Sequence, residues 1–321
     1  MMSLPSWTKV TLAAAAIGAA LGAVPQARAL ETLEVGAVGS PNAVLWPEYI
    51  AEQKGFYAAA GFKIDLVYAA SSANVLQALT AGSTKVAIAA GLADPIHAIM
   101  RGAGIAVVRI DGQVGPYALM AKKTLHSIKD LKGKKVSIDE AKGTTMVYFT
   151  IMLHKNGMKR SDCEFLYAGA TAARFAALES GASDAAMITA PQLFRAQAEG
   201  FVDLGDSWTY APDVPFTSEV VNRAWAESHQ EAVKKFLDAY AKAIRWFDDS
   251  KNRTEAIDIL EKVEKTNRED IAKSYDLFRK INYFDKSDTV SVTKVAKFVK
   301  AQELVDGPLN LDINKLVLKV K

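Results

Sequence analysis

Four short polar segments each stand between an apolar, strand-like run and a helix-like pattern. They are Gly39-Ser40-Pro41-Asn42, Ser71-Ser72-Ala73-Asn74, Gly91-Leu92-Ala93-Asp94-Pro95 and Gly143-Thr144-Thr145. The free N–H groups and positive dipole at a helix start attract anionic or acceptor groups. A Ser, Thr or Asn there is also an ordinary N-cap, so each segment alone has two interpretations. Four segments converging on one edge favour a binding site, with Ser40, Pro41, Asn42, Ser71, Ser72, Gly91, Leu92, Gly143, Thr144 and Thr145 as candidates.

Asp94 carries a second possibility within the third segment. Followed by Pro95, it fits a helix start, with a carboxylate cap and proline at the first helical position. If Asp94 instead faces a binding cleft, it would select a ligand that bears an amine. Thr189, the last residue of the apolar run Ala185–Thr189, is a further candidate for the same site.

Aromatic and cationic side chains could complete such a site. Pockets combine apolar walls with a few polar groups, and the available aromatic residues are Trp46, Tyr117, Trp208, Tyr210 and Phe216. We take Trp46 and Tyr117 as candidate ligand contacts, although a core position is equally open for each. Arg109 and Arg174 are the cations placed to approach the cleft, although an exposed face is the commoner place for arginine.

The residue types that perform catalysis do not form a recognisable pattern. The four histidines are scattered without metal-ligand spacing, and neither a Gly-x-Ser-x-Gly elbow nor a phosphate-binding loop occurs. Gly102-Ala103-Gly104 follows a helix pattern and precedes a strand, the reverse of a dinucleotide site. The single cysteine, Cys163, stands beside an apolar stretch, which favours a packed thiol over a nucleophile. We therefore predict no catalytic residue, no metal and no cofactor.

The amino-terminal residues have the layout of a secretory signal peptide. Lys9 precedes an apolar run from Val10 to Val24, and Ala27-Arg28-Ala29 supplies the small-residue cleavage site. The alternative is a membrane anchor, but the run is shorter than the ~20 residues that span a bilayer. We predict a signal peptide at residues 1–29 and export to the periplasm.

Composition agrees with an exported protein of two lobes. Removal of residues 1–29 takes away two basic residues and no acid, which leaves 37 basic against 36 acidic residues. A nearly neutral chain has no electrostatic footprint for nucleic acid. The remaining 292 residues are enough for two lobes. One cysteine excludes an internal disulfide.

Strand and helix patterns alternate over the first two thirds of the chain. Predicted strands are Leu33–Val38, Lys63–Tyr68, Val86–Ala90, Ala106–Ile110, Tyr117–Ala121, Lys135–Ile138, Glu164–Ala168, Ala185–Thr189 and Phe201–Leu204. Helix patterns between them cover about 43–54, 73–82, 93–101, 144–156, 171–180 and 191–199. This alternation predicts an α/β fold with parallel-rich sheets flanked by helices. After a strand at Phe216–Val221, amphipathic helices follow at Glu227–Asp249, Arg253–Val263 and Arg268–Lys280.

One module of this pattern is repeated. Residues 78–87 (ALTAGSTKVA) and 177–186 (ALESGASDAA) each end a helix at glycine and continue into a buried strand. Two copies of one βα module suggest two lobes of the same architecture.

These segments resemble the nitrate/sulfonate/taurine family of solute-binding proteins of ABC importers. The resemblance covers nearly all of the chain after residue 29. It is carried by residues 47–57 (PEYIAEQKGFY) with the following strand, by the repeated module, by residues 128–136 (IKDLKGKKV) and by the helical tail after Trp225.

The resemblance implies a two-lobed type II periplasmic binding protein fold with a two-strand hinge. One lobe would comprise residues 30–115 plus 216–321 and the other 116–215, with hinges near Gln113–Pro116 and Pro212–Phe216. The chain would be a monomer that captures a small polar or anionic organic molecule, sulfonate-, taurine- or nitrate-like, and delivers it to a membrane permease.

Two alternatives share this fold. Thiamine-pyrimidine synthases are enzymes that use pyridoxal phosphate, and related proteins bind pyrimidine precursors. The predicted signal peptide favours a binding protein, because an exported chain has little access to that cofactor. Effector domains of transcription regulators also share the fold, but the sequence shows no helix-turn-helix pattern.

Overall fold

The computed structural model describes residues 29–39 and 41–320, so the predicted signal peptide, apart from Ala29, lies outside the described residues. Ten strands are present in this part of the chain: β1 Glu31–Val38, β2 Phe62–Ala69, β3 Val86–Gly91, β4 Ile105–Ile110, β5 Tyr117–Ala121, β6 Lys135–Ile138, β7 Glu164–Tyr167, β8 Ala185–Thr189, β9 Val202–Asp206 and β10 Thr217–Asn222.

Thirteen α-helices accompany the strands in the described residues: α1 Trp46–Gln53, α2 Phe56–Ala60, α3 Ser72–Thr80, α4 Ala93–Met100, α5 Thr144–Lys155, α6 Thr171–Glu179, α7 Gln192–Ala198, α8 Ser207–Tyr210, α9 Arg223–Ser228, α10 Gln230–Asp248, α11 Arg253–Val263, α12 Arg268–Lys280 and α13 Val292–Asp306. None of them is long and apolar enough to cross a membrane.

The strands form two five-stranded sheets, one for each lobe. The first has the order β2-β1-β3-β10-β4 and the second the order β7-β6-β8-β5-β9. In each sheet the three strands of the βαβ units run parallel, namely β1, β2 and β3 in the first and β6, β7 and β8 in the second. Every residue of β3, β4, β5 and β8 is buried, as expected where helices cover both faces.

The predicted α/β class with two lobes is confirmed, and the sheets are mixed. β10 runs antiparallel to β3 and β4, and β5 runs antiparallel to β8 and β9. Each of these two strands comes directly after the chain has crossed from one sheet to the other. Each therefore enters its sheet from the end opposite to that at which the strands of the βαβ units begin. The sequence pattern alone does not carry strand direction.

Two neighbouring segments connect the sheets. The chain crosses to the second sheet after β4 and returns before β10. The two crossings are hydrogen-bonded to each other, because Phe216 N donates to Gly112 O at 2.7 Å and Asp111 N donates to Thr217 O at 3.0 Å. Paired strands of this kind form the two-strand hinge of the predicted fold.

Helix α1 is anchored in the core of the first lobe by an aromatic cluster. Trp46 is fully buried, and its Nε1 donates to Ala256 O at 2.7 Å. Its ring lies 5.1 Å from that of Phe247 and 5.8 Å from that of Tyr275. The expectation that Trp46 contacts a ligand is therefore not met: the indole is a core group whose only polar atom is already bonded.

Helix α13 was not among the predicted helices, and it packs between the two lobes. It contacts α4 of the first lobe and α5, which belongs to the second sheet's βαβ units. Gln302 Nε2 donates to Lys142 O at 3.3 Å, and Lys142 Nζ lies 2.9 Å from Asp306 Oδ1. Asp306 also bonds His97 on α4, with an Nε2–Oδ2 distance of 2.5 Å. Helix α13 thus forms bonds with both lobes, and we call it the carboxyl-terminal clamp.

Candidate functional site

A cavity of about 110 Å³ lies between the two sheets, at the carboxyl ends of their parallel strands. Open α/β sheets bind ligands at this edge. The loops after β1, β2 and β3 form one wall and the loops after β6, β7 and β8 form the other, and the start of β5 and the second crossing close its base. Its lining residues are Val38, Gly39, Asn42, Val44, Ser71, Ser72, Ala89, Gly91, Asp94, Tyr117, Asp139, Glu140, Thr144, Thr145, Gly169, Ala170, Thr171, Ala172, Arg174, Thr189, Gln192 and Phe216.

The hydroxyl and amide groups of the first wall both cap helices and line the cavity. Asn42 Oδ1 accepts from Val44 N at 3.0 Å, and Ser71 Oγ accepts from Asn74 N at 3.3 Å at the start of α3. Ser72 Oγ accepts from Gly91 N at 3.1 Å and so ties the loop after β2 to the end of β3. A residue at one of these positions can therefore both cap a helix and line a binding site.

The second wall is built around the start of α5. Thr145 N donates to Asp139 Oδ2 at 2.9 Å, which caps the helix with a carboxylate from the loop after β6. Thr145 Oγ1 donates to Tyr117 OH at 3.0 Å. A protein carboxylate therefore already accepts from one of the free N–H groups at the start of this helix.

Arg174 supplies the cavity with its guanidinium. The side chain is only 2% exposed; Nη1 donates to Gly169 O at 2.8 Å and Nη2 to Thr171 Oγ1 at 2.8 Å. Nη1 also donates to Thr145 Oγ1 at 3.2 Å, and Nε has no hydrogen-bond partner among the described residues. Across residues 29–39 and 41–320, no carboxylate oxygen lies within the 4.0 Å of an ion pair with Arg174. The guanidinium thus meets only neutral acceptors.

The other arginine considered from the sequence does not reach the cavity. Arg109 is fully buried inside the first lobe, where Nη2 donates to Asp285 O at 2.5 Å and Nε lies 3.9 Å from Glu219 Oε1. Strand β4 directs this side chain into a cluster of buried acids, away from the edge of the sheet where the cavity lies.

Three carboxyl groups face the cavity, and only one of them was predicted. Asp94 lies in the first turn of α4, and burial and the nearby Glu140 and Asp139 raise its pKa well above the usual range. Burial and Asp139 also raise the pKa of Glu140. The surroundings of Asp94 and Glu140 thus disfavour their charged forms.

The two walls touch at Gly91 and Thr144. Ala93 N donates to Thr144 Oγ1 at 3.0 Å, which joins the start of α4 to the start of α5. A Cβ atom at position 91 would lie 2.6 Å from Thr144 Oγ1 and 3.1 Å from Thr144 Cβ. Glycine at position 91 is therefore required for this close approach of the lobes.

Ala89, beside the cavity, adopts a left-handed backbone conformation with φ 51°. The β3–β10 register shifts next to it, between Ser218 and Val220. Such a conformation costs an alanine ~1–2 kcal/mol, and strained residues cluster at ligand sites.

The structure brings most of the predicted ligand contacts together. Those that line the cavity are Asn42, Ser71, Ser72, Gly91, Asp94, Tyr117, Thr144, Thr145 and Thr189. Pro41, Trp46, Leu92 and Gly143 are not among the lining residues, and Ser40 lies outside the described residues. Leu92 packs in an apolar cluster with Ile96, and a Cβ atom on Gly143 would strike the carboxylate of Asp139.

Several lining residues were missed from the sequence, namely Asp139, Glu140, Gly169, Ala170, Thr171 and Gln192. Asp139 and Glu140 directly follow β6, and Gly169 follows β7 by two residues. The other loops were selected because polar or glycine residues stand immediately after a strand. The same rule would have found Asp139, Glu140 and Gly169.

No metal site is evident in the described part of the chain: no group of three His, Cys, Asp or Glu side chains is placed to hold an ion. Cys163 lies away from the cavity, and its Sγ donates to Leu131 O at 3.4 Å. Burial and the nearby Asp162 raise the pKa of this thiol to about 11, so it is protonated at neutral pH and is a poor nucleophile.

Solved structures of binding proteins share this architecture. The alkanesulfonate-binding protein SsuA from Xanthomonas axonopodis pv. citri, bound to MOPS, is 19% identical with a TM-score of 0.74, over 91% of this chain and 99% of its own. The periplasmic aliphatic sulphonate binding protein SsuA from Escherichia coli is 21% identical with a TM-score of 0.70, over 91% and 93%. The periplasmic nitrate-binding protein NrtA from Synechocystis PCC 6803 is 20% identical with a TM-score of 0.67, over 77% and 70%.

These likenesses confirm the type II periplasmic binding protein fold that the sequence predicted. No curated protein sequence matches the chain. The model of the NMT1/THI5-like family matches residues 42–250, which include all the cavity-lining loops except the start of the first one. The chain belongs to the NMT1/THI5-like family.

Proposed function

We propose that the chain is the solute-binding component of an ABC importer and captures a small polar or anionic organic molecule in the cavity between its lobes. The observation that carries this proposal is the composition of the cavity: both lobes line it, and a buried guanidinium without a carboxylate partner faces it. The three binding proteins of the same fold, two for sulfonates and one for nitrate, support a ligand of this size and polarity.

Capture proceeds by closure about the two crossings. We propose lobes of residues 30–115 plus 216–321 and of residues 116–215, with hinges at 113–116 and 212–216. Paired connecting strands allow rotation of one lobe against the other. The bond from Ala93 N to Thr144 Oγ1 and the ion pair of Lys142 with Asp306 hold the closed state.

The cellular context follows from the amino terminus. We propose that residues 1–29 are a cleaved signal peptide and that the mature protein is a periplasmic monomer that docks on a membrane permease. Amino-terminal sequencing of periplasmic protein should begin at Leu30 or within a few residues of it. Full-length chain in the membrane fraction would contradict export.

The second candidate is a thiamine-pyrimidine synthase-like enzyme, or a binder of pyrimidine precursors, which the family name itself suggests. The side chains that line the cavity do not fit the chemistry of such an enzyme. Its described lining contains no lysine to form a Schiff base with a carbonyl cofactor, and no histidine or cysteine for general base or nucleophilic chemistry. A binding role needs none of these groups.

Small-angle scattering with and without ligand tests capture. Taurine, ethanesulfonate, nitrate and 4-amino-5-hydroxymethyl-2-methylpyrimidine are added in turn to the mature chain. We expect at least one compound to bind, to reduce the radius of gyration and to be recovered chemically unchanged. Conversion of the compound, or binding with an unchanged radius, would contradict capture by hinge closure.

A further inference from the structure

The cavity holds one guanidinium and three carboxyl groups, and this imbalance specifies the ligand further. We propose that the ligand is a small zwitterion, with a protonated amine against Asp94 and Glu140 and an acidic group toward Arg174. This inference rests on the proposed function, because it names the class of solute that the same cavity binds.

Arg174 accounts for the acidic end of the ligand. A buried guanidinium without an anion is costly, because neutral acceptors only partly replace its hydration. Its Nε is unpartnered among the described residues, while Nη1 and Nη2 are held by Gly169 O and Thr171 Oγ1. These bonds fix the guanidinium plane beside the cavity, and an incoming carboxylate or sulfonate supplies the missing negative charge.

Asp94 and Glu140 account for the amine. The Ser72 hydroxyl partly offsets the rise in the pKa of Asp94, and the Ser71 hydroxyl does the same for Glu140. In the described chain, no lysine, arginine or histidine nitrogen lies within ion-pairing distance, 4.0 Å, of either carboxylate. The two acids come from opposite walls, so closure brings them together, and a protonated amine between them relieves their repulsion.

Asp139 differs from the other two acids because its oxygens are occupied. Oδ1 accepts from Glu140 N at 2.7 Å and Oδ2 accepts from Thr145 N at 2.9 Å. It adds negative charge to the cavity but is committed to the start of α5. A simple anion would meet one cation and the start of α6, but it would also face three acids.

Two successive residues of α5 link the two ends of the proposed site. Thr144 accepts from Ala93, the neighbour of Asp94, and Thr145 accepts from Arg174. Because Thr144 and Thr145 are successive residues, their Cα atoms are ~3.8 Å apart. Asp94 and Arg174 are thus connected through adjacent residues of α5, and we expect a ligand with a few atoms between its amine and its acid.

Proton release provides a signature of amine binding. Burial and neighbouring acids raise the pKa of Asp94 and that of Glu140, and the nearby Arg101 and His97 respectively offset only part of this rise. An ammonium group lowers both pKa values on binding, so protons leave the protein. A neutral or purely anionic ligand has no such effect.

Calorimetric titration of the mature chain with matched pairs tests the proposal. The pairs are taurine with ethanesulfonate, β-alanine with propionate, and γ-aminobutyrate with butyrate. We expect the amino member of at least one pair to bind at least ~10-fold more tightly, a difference in line with one charge-assisted contact. Its binding enthalpy should depend on the buffer, as proton release requires.

Asp94→Asn separates the amine contact from the rest of the site. The amide keeps the size of the side chain but not its charge, so the preference for the amino member should fall about 10-fold while the deaminated member binds unchanged. Asp270→Asn, on α12 far from the cavity, is the control. If Asp94→Asn melts at a lower temperature, Glu140→Gln gives the same comparison.

Three results would overturn the proposal: equal or tighter binding of the deaminated member in every pair, binding without proton release, or no binding of any amino member at millimolar concentration. Closure around nitrate, or around ethanesulfonate bound at least as tightly as taurine, would refute the zwitterion yet leave solute capture intact. The two proposals therefore fail in distinguishable ways.

Discussion

Gly91 and Thr144 offer a direct test of how the two walls close. Gly91→Ala places a methyl group 2.6 Å from Thr144 Oγ1, well inside contact distance, so the lobes must separate. Thr144→Ala removes that oxygen and also removes the acceptor for Ala93 N. In the open state water replaces the lost acceptor, so each change weakens the closed state selectively.

The expected magnitudes follow from these contacts. Loss of one neutral hydrogen bond weakens the closed state by ~0.5–1.5 kcal/mol, about two- to tenfold in affinity. Overpacking by one methyl group costs ~1–3 kcal/mol, roughly five- to a hundredfold. In the double variant the methyl group meets Thr144 Cβ at 3.1 Å instead of the oxygen at 2.6 Å. We therefore expect a loss smaller than the sum of the single losses by ~0.5 kcal/mol or more.

The assay is calorimetric titration of the four proteins with the tightest-binding compound of the matched pairs, beside thermal melting. Thr150→Ala is the control, because Thr150 lies on the same helix, is equally buried and bonds only Met146 O within it, at 2.7 Å. It should change the melting temperature without changing affinity. Strict additivity of the single losses would refute the contact between the walls, and so would an unaltered affinity of Gly91→Ala.

Two further predictions concern a buried acid and the carboxyl-terminal clamp. Burial, partly offset by a bond from Tyr57, raises the pKa of Glu48 to about 8. The contribution of protonated Glu48 to the free energy of unfolding is complete below the unfolded pKa near 4.5 and is lost, by a few kcal/mol, as the pH rises through 8. Chemical denaturation between pH 5 and 8 should therefore show a smaller fall in the free energy of unfolding for Glu48→Gln than for the wild type. The same dependence on pH in both proteins would contradict this. Asp306→Asn should weaken ligand affinity severalfold, because Lys142 and His97 lose the carboxylate that joins the lobes. Asp238→Asn, at an exposed position, is the control. Equal affinities of the two variants would show that Asp306 does not hold the lobes together.

The fold was predictable because periodicity and glycine punctuation are local signals. The strands β5, β6 and β8 have the predicted bounds, and the others differ by one or two residues at an end. Strand direction and helix α13 were not predictable in this way. α13 has a weak amphipathic pattern because it is covered from two sides, by α4 and by α5, instead of presenting one apolar stripe.

The site was predictable in outline, since strand ends reveal which loops meet but not where each side chain points. Trp46 and Tyr117 were equal candidates from the sequence, yet one is a core group bonded to Ala256 O and the other lines the cavity. Arg109 and Arg174 differ likewise: one lies on a buried strand and faces interior acids, the other on the first turn of a helix that begins at the cavity. Such choices depend on packing between distant segments.

Native mass spectrometry of the freshly purified chain tests the central claim most directly. We predict that the wild-type protein carries a small molecule, that its mass is that of an unmodified organic zwitterion, and that an Arg174→Met variant that still melts cooperatively no longer carries it. Equal loading of wild type and Arg174→Met, or no bound molecule under any growth condition in which the chain is produced, would contradict capture in this cavity.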